Sequence, residues 1–429
     1  MPIVEFLTPD GRHLLINSRR EATSILVNND LALNFDREGR LTGAWTQGRN
    51  YRRSLDNRVI EKQEGPQPGL SYRVRRELER EEGLRFLGDV HARIAGYRAI
   101  LDDPRTTLAK ETRPADILQV RDALDSVLAC DPARLERDRD TFQRIYKPVS
   151  ILPPDQYLAL VLQVTEGCSY NRCAFCGFYR GRAFAVKTLD QLRDHIADVR
   201  AFFGSAINLR KSIFLADANA LIIPQDRLVP IFDLVNAEFA VEPVGIDYAE
   251  LSAWKHDHPI HFQGIYSFID AFSTRRKTAQ DLRELAARGL RRVYVGLESG
   301  DAELLKFLGK PNSPQDALRL VEQLKAGGVA VGLVILAGAG GEQYSEQHIR
   351  NTAQVISAMP LDRQDLIYFS ELVDYPGSEY SALARDAGLR PLSVEEIEQQ
   401  MSRMRAAFRF PNLQEPPKVS YYDVREFIY

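Results

Sequence analysis

Three of the four cysteines of this 429-residue chain fall within nine residues, Cys168-Ser-Tyr-Asn-Arg-Cys173-Ala-Phe-Cys176. A secreted disulfide framework spreads its cysteines out, whereas tight clustering points to metal binding. Three thiolates on one loop can hold three irons of a 4Fe–4S cluster. The fourth iron then lacks a protein ligand, and an open metal position is what catalysis needs. Two other readings stand beside this one. Structural zinc takes four protein ligands, and the nearest downstream histidine, His195, lies inside a helical stretch 19 residues on, so closure is awkward. The other is chance clustering of inert thiols. Cys130, near the end of an N-terminal helical stretch, reads as a buried structural thiol.

The loop follows directly on an apolar run, Leu158–Val164, and that run opens a regular pattern. After Pro153-Pro154, short apolar segments alternate with amphipathic helices. Strands are expected at Leu158–Val164, Ser212–Leu215, Phe262–Phe268, Arg292–Leu297, Val329–Leu336 and Leu366–Phe369, the last followed by Tyr375-Pro-Gly. Between them, Thr188 caps a helix running to Phe203, Thr278 with Asp281 forms a capping box, Ser313-Pro314 opens a helix, and Ser345 caps another. Six strands with helical crossovers predict a parallel sheet. Six units are too few for a closed eight-stranded barrel and fit a partial (β/α)6 TIM-type barrel. Ligands of such folds sit at the carboxyl ends of the strands, so cofactor residues belong there.

The fold class expected is therefore α/β, this partial barrel with an N-terminal α+β accessory domain. Residues 1–150 form the accessory domain, with strands at Ser24–Val27, Leu31–Phe35 and Leu41–Trp45, a linker at Pro66–Gly69, and helices over 71–146. Residues 151–385 form the barrel. Residues 386–429 form a C-terminal helix and an aromatic-rich tail that either covers the barrel mouth as a lid or packs on the N-terminal domain.

With its loop and strand ends in place, the chain resembles the radical SAM superfamily over about residues 155–385. That family's usual loop is C-x3-C-x2-C with an aromatic before the third cysteine. Phe175 is that aromatic here, and the first spacing is four, as in a subset with loops like Gly167–Gly177. The resemblance implies that Cys168, Cys173 and Cys176 bind one 4Fe–4S cluster and that Phe175 and Gly177 flank the cofactor. Asp217 and Asn219, ending the second strand, replace a Gly-Gly-Glu type motif and offer oxygens to the methionine ammonium. Glu298 and Ser299, in Gly296-Leu-Glu-Ser-Gly300, end the fourth strand near the ribose or amino-acid part. Leu336 and the Gly338-Ala-Gly-Gly-Glu342 segment end the fifth near the adenine. Lys310 falls where relatives place a base against the methionine carboxylate. Each has an ordinary alternative as a cap, turn or solvated charge.

The resemblance further implies reductive cleavage of S-adenosylmethionine, with the electron from reduced flavodoxin or ferredoxin. A 5′-deoxyadenosyl radical then abstracts hydrogen from a small-molecule substrate. Tyr266 and Tyr368, pointing inward from the third and sixth strands, are candidate catalytic residues, and Glu371 and Asp374 are candidates for binding a polar group. Asp89-Val-His91-Ala-Arg-Ile-Ala-Gly96 is a near miss to the cobalamin loop Asp-x-His-x-x-Gly, in a helical context, so no cobalamin is expected. Two other classes of function remain, a non-catalytic iron–sulfur carrier and a zinc-binding regulatory protein.

Composition narrows the rest. With 44% hydrophobic and 27% charged residues and a net charge of −3, the chain is ordinary for a globular protein. It offers no electrostatic reason for nucleic acid or an anionic membrane as main partner. The short basic runs Arg275-Arg276-Lys277 and Arg291-Arg292 read as solvated faces. No segment approaches the ~20 apolar residues of a membrane span, and Met1-Pro-Ile-Val-Glu-Phe lacks the pattern of a signal peptide. The cytoplasm is the expected location.

Overall fold

The computed structural model describes residues 2–65, 73–272, 277–374, 378–410 and 414–429. The expected linker Pro66–Gly69, Arg275 and Arg276 of the basic run, and Tyr375-Pro-Gly lie outside the described residues. The chain divides into two compact units. One comprises Met1–Val149 with Ala197–Arg210 and Arg425–Tyr429, and the other Ser150–Ile196 with Lys211–Val424.

The first unit is built on a nine-stranded antiparallel meander. Alternation dictates its faces: in Ala22–Val27, Thr23, Ile25 and Val27 are buried while the residues between them are not. Helices Arg80–Ile100 and Pro114–Leu128 cover the apolar face, adding Leu87, Val90, Ile94, Val120 and Leu124 to one core. More strands form than the three expected from sequence. Arg49–Arg53, for example, reads Arg-Asn-Tyr-Arg-Arg and carries no apolar alternation. Val74–Glu77 is a strand inside the stretch expected to be helical, 71–146. Cys130 is buried in this core, and burial pushes its thiol up to about 11. Asp89, His91 and Gly96 all lie within the helix Arg80–Ile100, and His91 Nε2 lies 3.0 Å from the Leu128 carbonyl.

The second unit holds a parallel sheet whose strands follow one another in chain order. They are Ala159–Gln163, Ser212–Ala216, Ile265–Ile269, Leu290–Glu298, Ala330–Ala337, Leu366–Glu371 and Lys418–Tyr422. The fold is mixed α/β with the parallel sheet that the sequence indicated, but the sheet has seven strands. The seventh is Lys-Val-Ser-Tyr-Tyr, within the segment read as a helix and tail. It pairs in parallel with the sixth, Phe369 opposite Tyr421. Its Tyr422 hydroxyl donates to the Leu152 carbonyl at 2.8 Å, which ties the last strand to the chain entering the first. The helix after the fifth strand starts at Gly341, not after Ser345, because Gly340 at φ +75° turns the chain directly from strand to helix.

Inside the sheet's concave face the register stacks aromatic rings. Phe214 lies opposite Tyr266, and Phe268 opposite Tyr294. The Phe214 and Phe268 rings meet at 5.0 Å between centroids, and Tyr294 stands about as far from either at 6.1 and 6.0 Å. Asp155, in the short turn before the first strand, gathers the polar ends. It accepts from the hydroxyls of Tyr294 and Tyr368, the latter at 2.8 Å, and from Arg292 at 3.0 Å. This closes the end from which the strands start. Gly332, paired with Tyr294, leaves room for its ring, and a Cβ there would collide with it. Gly332→Ala is expected to lower stability by about 1–3 kcal/mol through overpacking, read as a lower urea midpoint with unchanged slope. An unchanged midpoint would show that the ring stack is not tightly packed.

Candidate functional site

The cysteine loop leaves the first strand through Gly167, which adopts φ +73°. A Cβ there would come within 2.9 Å of the Ala183 carbonyl. Backbone contacts hold the rest of the loop. Ala174 N–H donates to the Leu308 carbonyl at 2.9 Å, and the Tyr170 hydroxyl donates to the Gly309 carbonyl at 2.7 Å. The Asn171 amide donates to the Tyr179 carbonyl at 2.8 Å, and Arg180 donates to the Cys173 carbonyl at 2.9 Å. The three thiols are free and half-buried. Burial raises Cys173 to about 12 and Cys176 to about 11.

All three cysteines border one cavity of about 530 Å³ at the carboxyl ends of the strands. Among the described residues, no three His, Cys, Asp or Glu side chains converge on a point where one metal ion would sit. A 4Fe–4S cluster asks for something else, since each thiolate meets its own iron and the sulfurs stand around a body of finite size. Three free thiols around a shared cavity fit that demand. His195, considered as a zinc ligand, accepts the Gln163 N–H on Nε2 at 3.1 Å and does not line the cavity.

Four polar side chains line the same cavity: Asn219 after the second strand, Asp270 after the third, Glu298 at the end of the fourth, and Lys310 after the short helix Ala302–Phe307. Asn219 is 2% exposed, and its amide nitrogen donates to Asp270. That bond fixes the amide, and among the described residues its Oδ1 has no hydrogen-bond partner. Asp270 also accepts the Phe272 N–H at 3.0 Å. Glu298 ends the fourth strand at φ +59° and accepts from Lys310 Nζ at 2.7 Å. Lys310 donates in addition to the Gly296 carbonyl at 2.5 Å. Burial alone would lower its ammonium, but the Glu298 carboxylate and then Cys173 hold it above its ordinary value. Gly296 lacks a side chain where a Cβ would strike the Glu298 carboxylate.

The turn that carries Glu298 is gripped by one helix, Gly341–Ala358. His348 Nδ1 lies 2.8 Å from Ser299 Oγ, Gly300 N–H donates to Thr352 Oγ1 at 2.8 Å, and the Asn351 amide donates to Asp301 at 2.6 Å. Gly300 packs against the helix backbone so closely that a Cβ would come within 2.5 Å of the Asn351 carbonyl. His348 is fully buried, and burial lowers it to about 4, so its imidazole is neutral.

The structure brings together Phe175, Gly177, Asn219, Glu298, Lys310 and Leu336 with the cysteines as cavity-lining residues. Asp217 and Ser299 are placed elsewhere. Asp217 accepts from Gln163 Nε2 at 3.0 Å and from Gly167 N–H at 3.1 Å, and burial raises its carboxyl. Ser299 faces His348. Tyr266 and Tyr368 do point inward but lie below the cavity, with the Tyr368 hydroxyl held by Asp155. Glu371 lines the cavity, while Asp374 accepts from Ser378 and Ser381 outside it. In the glycine-rich segment, Gly338 N–H donates to Gln400 and Gly340 N–H to Tyr380. Sequence reading missed Asp270 and the three gripping side chains. A signal for Asp270 existed, because it follows the third strand just as Asp217 follows the second, while Glu298 and Glu371 end the fourth and sixth.

Residues 162–356 match the family model of the Radical SAM superfamily, and the chain carries a radical SAM domain. Among characterised proteins, the 4′-phospho-dehydrooxetanocin synthase of Priestia megaterium is 27% identical over 177 residues. The match covers 39% of this chain, and the chain spans only 22% of that relative's length. Solved structures give looser likenesses. The radical S-adenosylmethionine methyltransferase TsrM of Kitasatospora setae, with cobalamin and a [4Fe–4S] cluster bound, aligns with TM-score 0.42 and 17% identity over 64% of this chain and 58% of its own. Coproporphyrinogen III oxidase of Escherichia coli aligns with TM-score 0.35 and 12% identity over 60% of this chain and 56% of its own. No helix among the described residues is long and apolar enough to cross a membrane.

Thr352→Val keeps the shape of the helix but leaves the buried Gly300 N–H unpaired. It is expected to cost about 1–3 kcal/mol, whereas Thr352→Ser, which restores the acceptor, should regain most of it. Urea unfolding of the two variants checks this, and equal losses in both would remove the hydroxyl from the account.

Proposed function

We propose that the protein is an enzyme that binds one 4Fe–4S cluster through Cys168, Cys173 and Cys176 and reductively cleaves S-adenosylmethionine to attack a small-molecule substrate. The observation that carries this reading is the shared cavity, lined by the three cysteines together with Asn219, Asp270, Glu298 and Lys310. When bound, the cluster supplies the electron that breaks a carbon–sulfur bond of S-adenosylmethionine and releases a 5′-deoxyadenosyl radical. The electron comes from an external donor, for which reduced flavodoxin or ferredoxin is the class we favour.

The chain's own residues bind and orient. Asn219 Oδ1, held toward the cavity by the bond from its nitrogen to Asp270, accepts from the methionine ammonium. Asp270 takes the role that Asp217 had in the sequence reading, since Asp217 is engaged by Gln163 and Gly167. Lys310 faces the methionine carboxylate, and Glu298 sets the position of Lys310 and offers an oxygen to a ribose hydroxyl. Leu336 and Phe175 supply apolar wall for the adenine. The aromatic stack below excludes water, which a reactive carbon radical requires. We take cobalamin not to be a cofactor, a view supported by the helix around Asp89 and His91; cobalamin retained at one per chain after growth with the vitamin would overturn it.

The test is anaerobic reconstitution followed by dithionite and S-adenosylmethionine, with mass spectrometry for 5′-deoxyadenosine. Wild-type protein is expected to be brown and to form the product, and Cys176→Ala to form none. Asn219→Ala should raise the KM for S-adenosylmethionine about 10–100-fold through loss of a charge-assisted hydrogen bond. A reducible cluster without any adenosyl-derived or aminocarboxypropyl product, with or without candidate substrates, would favour an iron–sulfur carrier. A colourless zinc-loaded protein would favour the regulatory reading.

A further inference from the structure

A side chain just past the cysteine loop reaches back into its backbone. Arg180 Nη2 donates to the Cys173 carbonyl at 2.9 Å, Nη1 to the Asn171 carbonyl at 3.3 Å, and Nε to the Cys176 carbonyl at 3.3 Å. Two of these carbonyls belong to the cysteines themselves. The third belongs to Asn171, whose backbone is left-handed at φ +50°. The Asn171 side chain donates in return to the Tyr179 carbonyl at 2.8 Å, so residue 171 is linked twice to the consecutive residues 179 and 180. The Cys173 carbonyl also accepts the Cys176 N–H at 3.2 Å. Glu379, first residue of the helix Glu379–Asp386, pairs with Arg180 Nη2 at 2.9 Å, and both side chains of this pair are exposed.

A guanidinium presents five N–H donors in a rigid planar fork, whereas an ammonium is a compact point donor. The fork lets one side chain meet three carbonyls that the loop alone would leave to water. Ordering a loop costs conformational entropy at every residue, and a site ordered in advance keeps more of its interaction energy for the ligand. The ion pair with Glu379 contributes little, as exposed pairs do, so the carbonyl contacts hold the loop. We infer that Arg180 is a positioning residue, whose guanidinium holds the backbone of Cys173 and Cys176 and the turn from Cys168 in the ligand arrangement before a cofactor enters. That the cofactor is a 4Fe–4S cluster rests on the reading proposed above.

The first measurement uses the metal-free, reduced full chain. Alkylation by iodoacetamide is followed cysteine by cysteine by peptide mass spectrometry. Arg180→Met should raise the rates at the loop cysteines about ten-fold. Arg180→Lys keeps the charge without the fork and should raise them at least about five-fold, while Glu379→Gln should stay within about two-fold of wild type. Cys130, buried in the other unit, should react slowly throughout, and the urea midpoint read by tryptophan fluorescence should not move. The second measurement is anaerobic loss of iron to EDTA from the reconstituted chain, where the same ranking is expected. The inference is overturned if Arg180→Met leaves alkylation unchanged, if Arg180→Lys matches wild type, if Glu379→Gln loosens the loop as much as Arg180→Met, or if the urea midpoint falls along with the change. The two ideas fail separately. Faster alkylation in variants of a chain that takes up no iron–sulfur cluster sinks the cluster reading alone, and a cluster retained equally by wild type and Arg180→Met sinks this inference alone.

Discussion

The buried pair of Glu298 and Lys310 is the constraint around which the site is organised. Taking two charges out of water costs several kcal/mol for each ion and is repaid only by good geometry and further hydrogen bonds. Here the further bond is from Lys310 to the Gly296 carbonyl, and it exists because Gly296 has no side chain in the way. Glu298 reaches the lysine from a left-handed backbone conformation, which a glutamate adopts only when its surroundings impose it. The imposing element is the helix Gly341–Ala358, which holds Ser299, Gly300 and Asp301 through His348, Thr352 and Asn351. Lys310, in turn, directly follows the Leu308–Gly309 turn on which the cysteine loop docks. The ion pair and the cysteine loop thus share one short stretch of backbone, Leu308–Lys310.

Asp217 does the corresponding work on the other side of the loop. Its carboxylate links the side chain of Gln163 at the end of the first strand to the N–H of Gly167 at the start of the loop. The loop is therefore fixed at its base by a buried carboxylate and near its middle by the Leu308–Gly309 turn. Neither anchor touches a thiol. The sulfurs are left half-buried and outside any disulfide, with Cys168 Sγ accepting the Asn171 N–H at 3.4 Å.

Much of this was legible in the chain. Strand and helix alternation after Pro153 was strong because the strands of a parallel sheet are apolar on both faces, and Ala159–Gln163 and Ser212–Ala216 are buried throughout. The seventh strand escaped because Lys-Val-Ser-Tyr-Tyr lies largely exposed at an edge without a regular alternation, and nothing in it distinguishes an edge strand from a tail. The cysteines, Asn219, Glu298 and Lys310 were marked by type and by position at strand ends. What sequence could not assign is the partner of each polar group. Asp217 and Asn219 are two residues apart and equally suited to meet an ammonium, yet the chain turns one back to the loop and the other into the cavity. Likewise, Tyr368 looked like an inward catalytic residue and is inward, but Asp155, more than two hundred residues earlier, takes its hydroxyl.

The lower part of the concave face explains why so few polar groups can suffice above it. Phe214, Phe268 and Tyr294 fill the space between the strands, and Asp155 satisfies the hydroxyls that would otherwise be stranded there. That end of the cavity is walled by packed rings rather than by polar groups. Electrostatic interactions strengthen as water is excluded. Each acid placed at a strand end then counts for more than it would on a surface, and among the described lining residues Asp270, Glu298 and Glu371 outnumber Lys310. Lys310 is held beside a carboxylate and a carbonyl, so it offers its charge in a fixed direction rather than to whatever anion arrives.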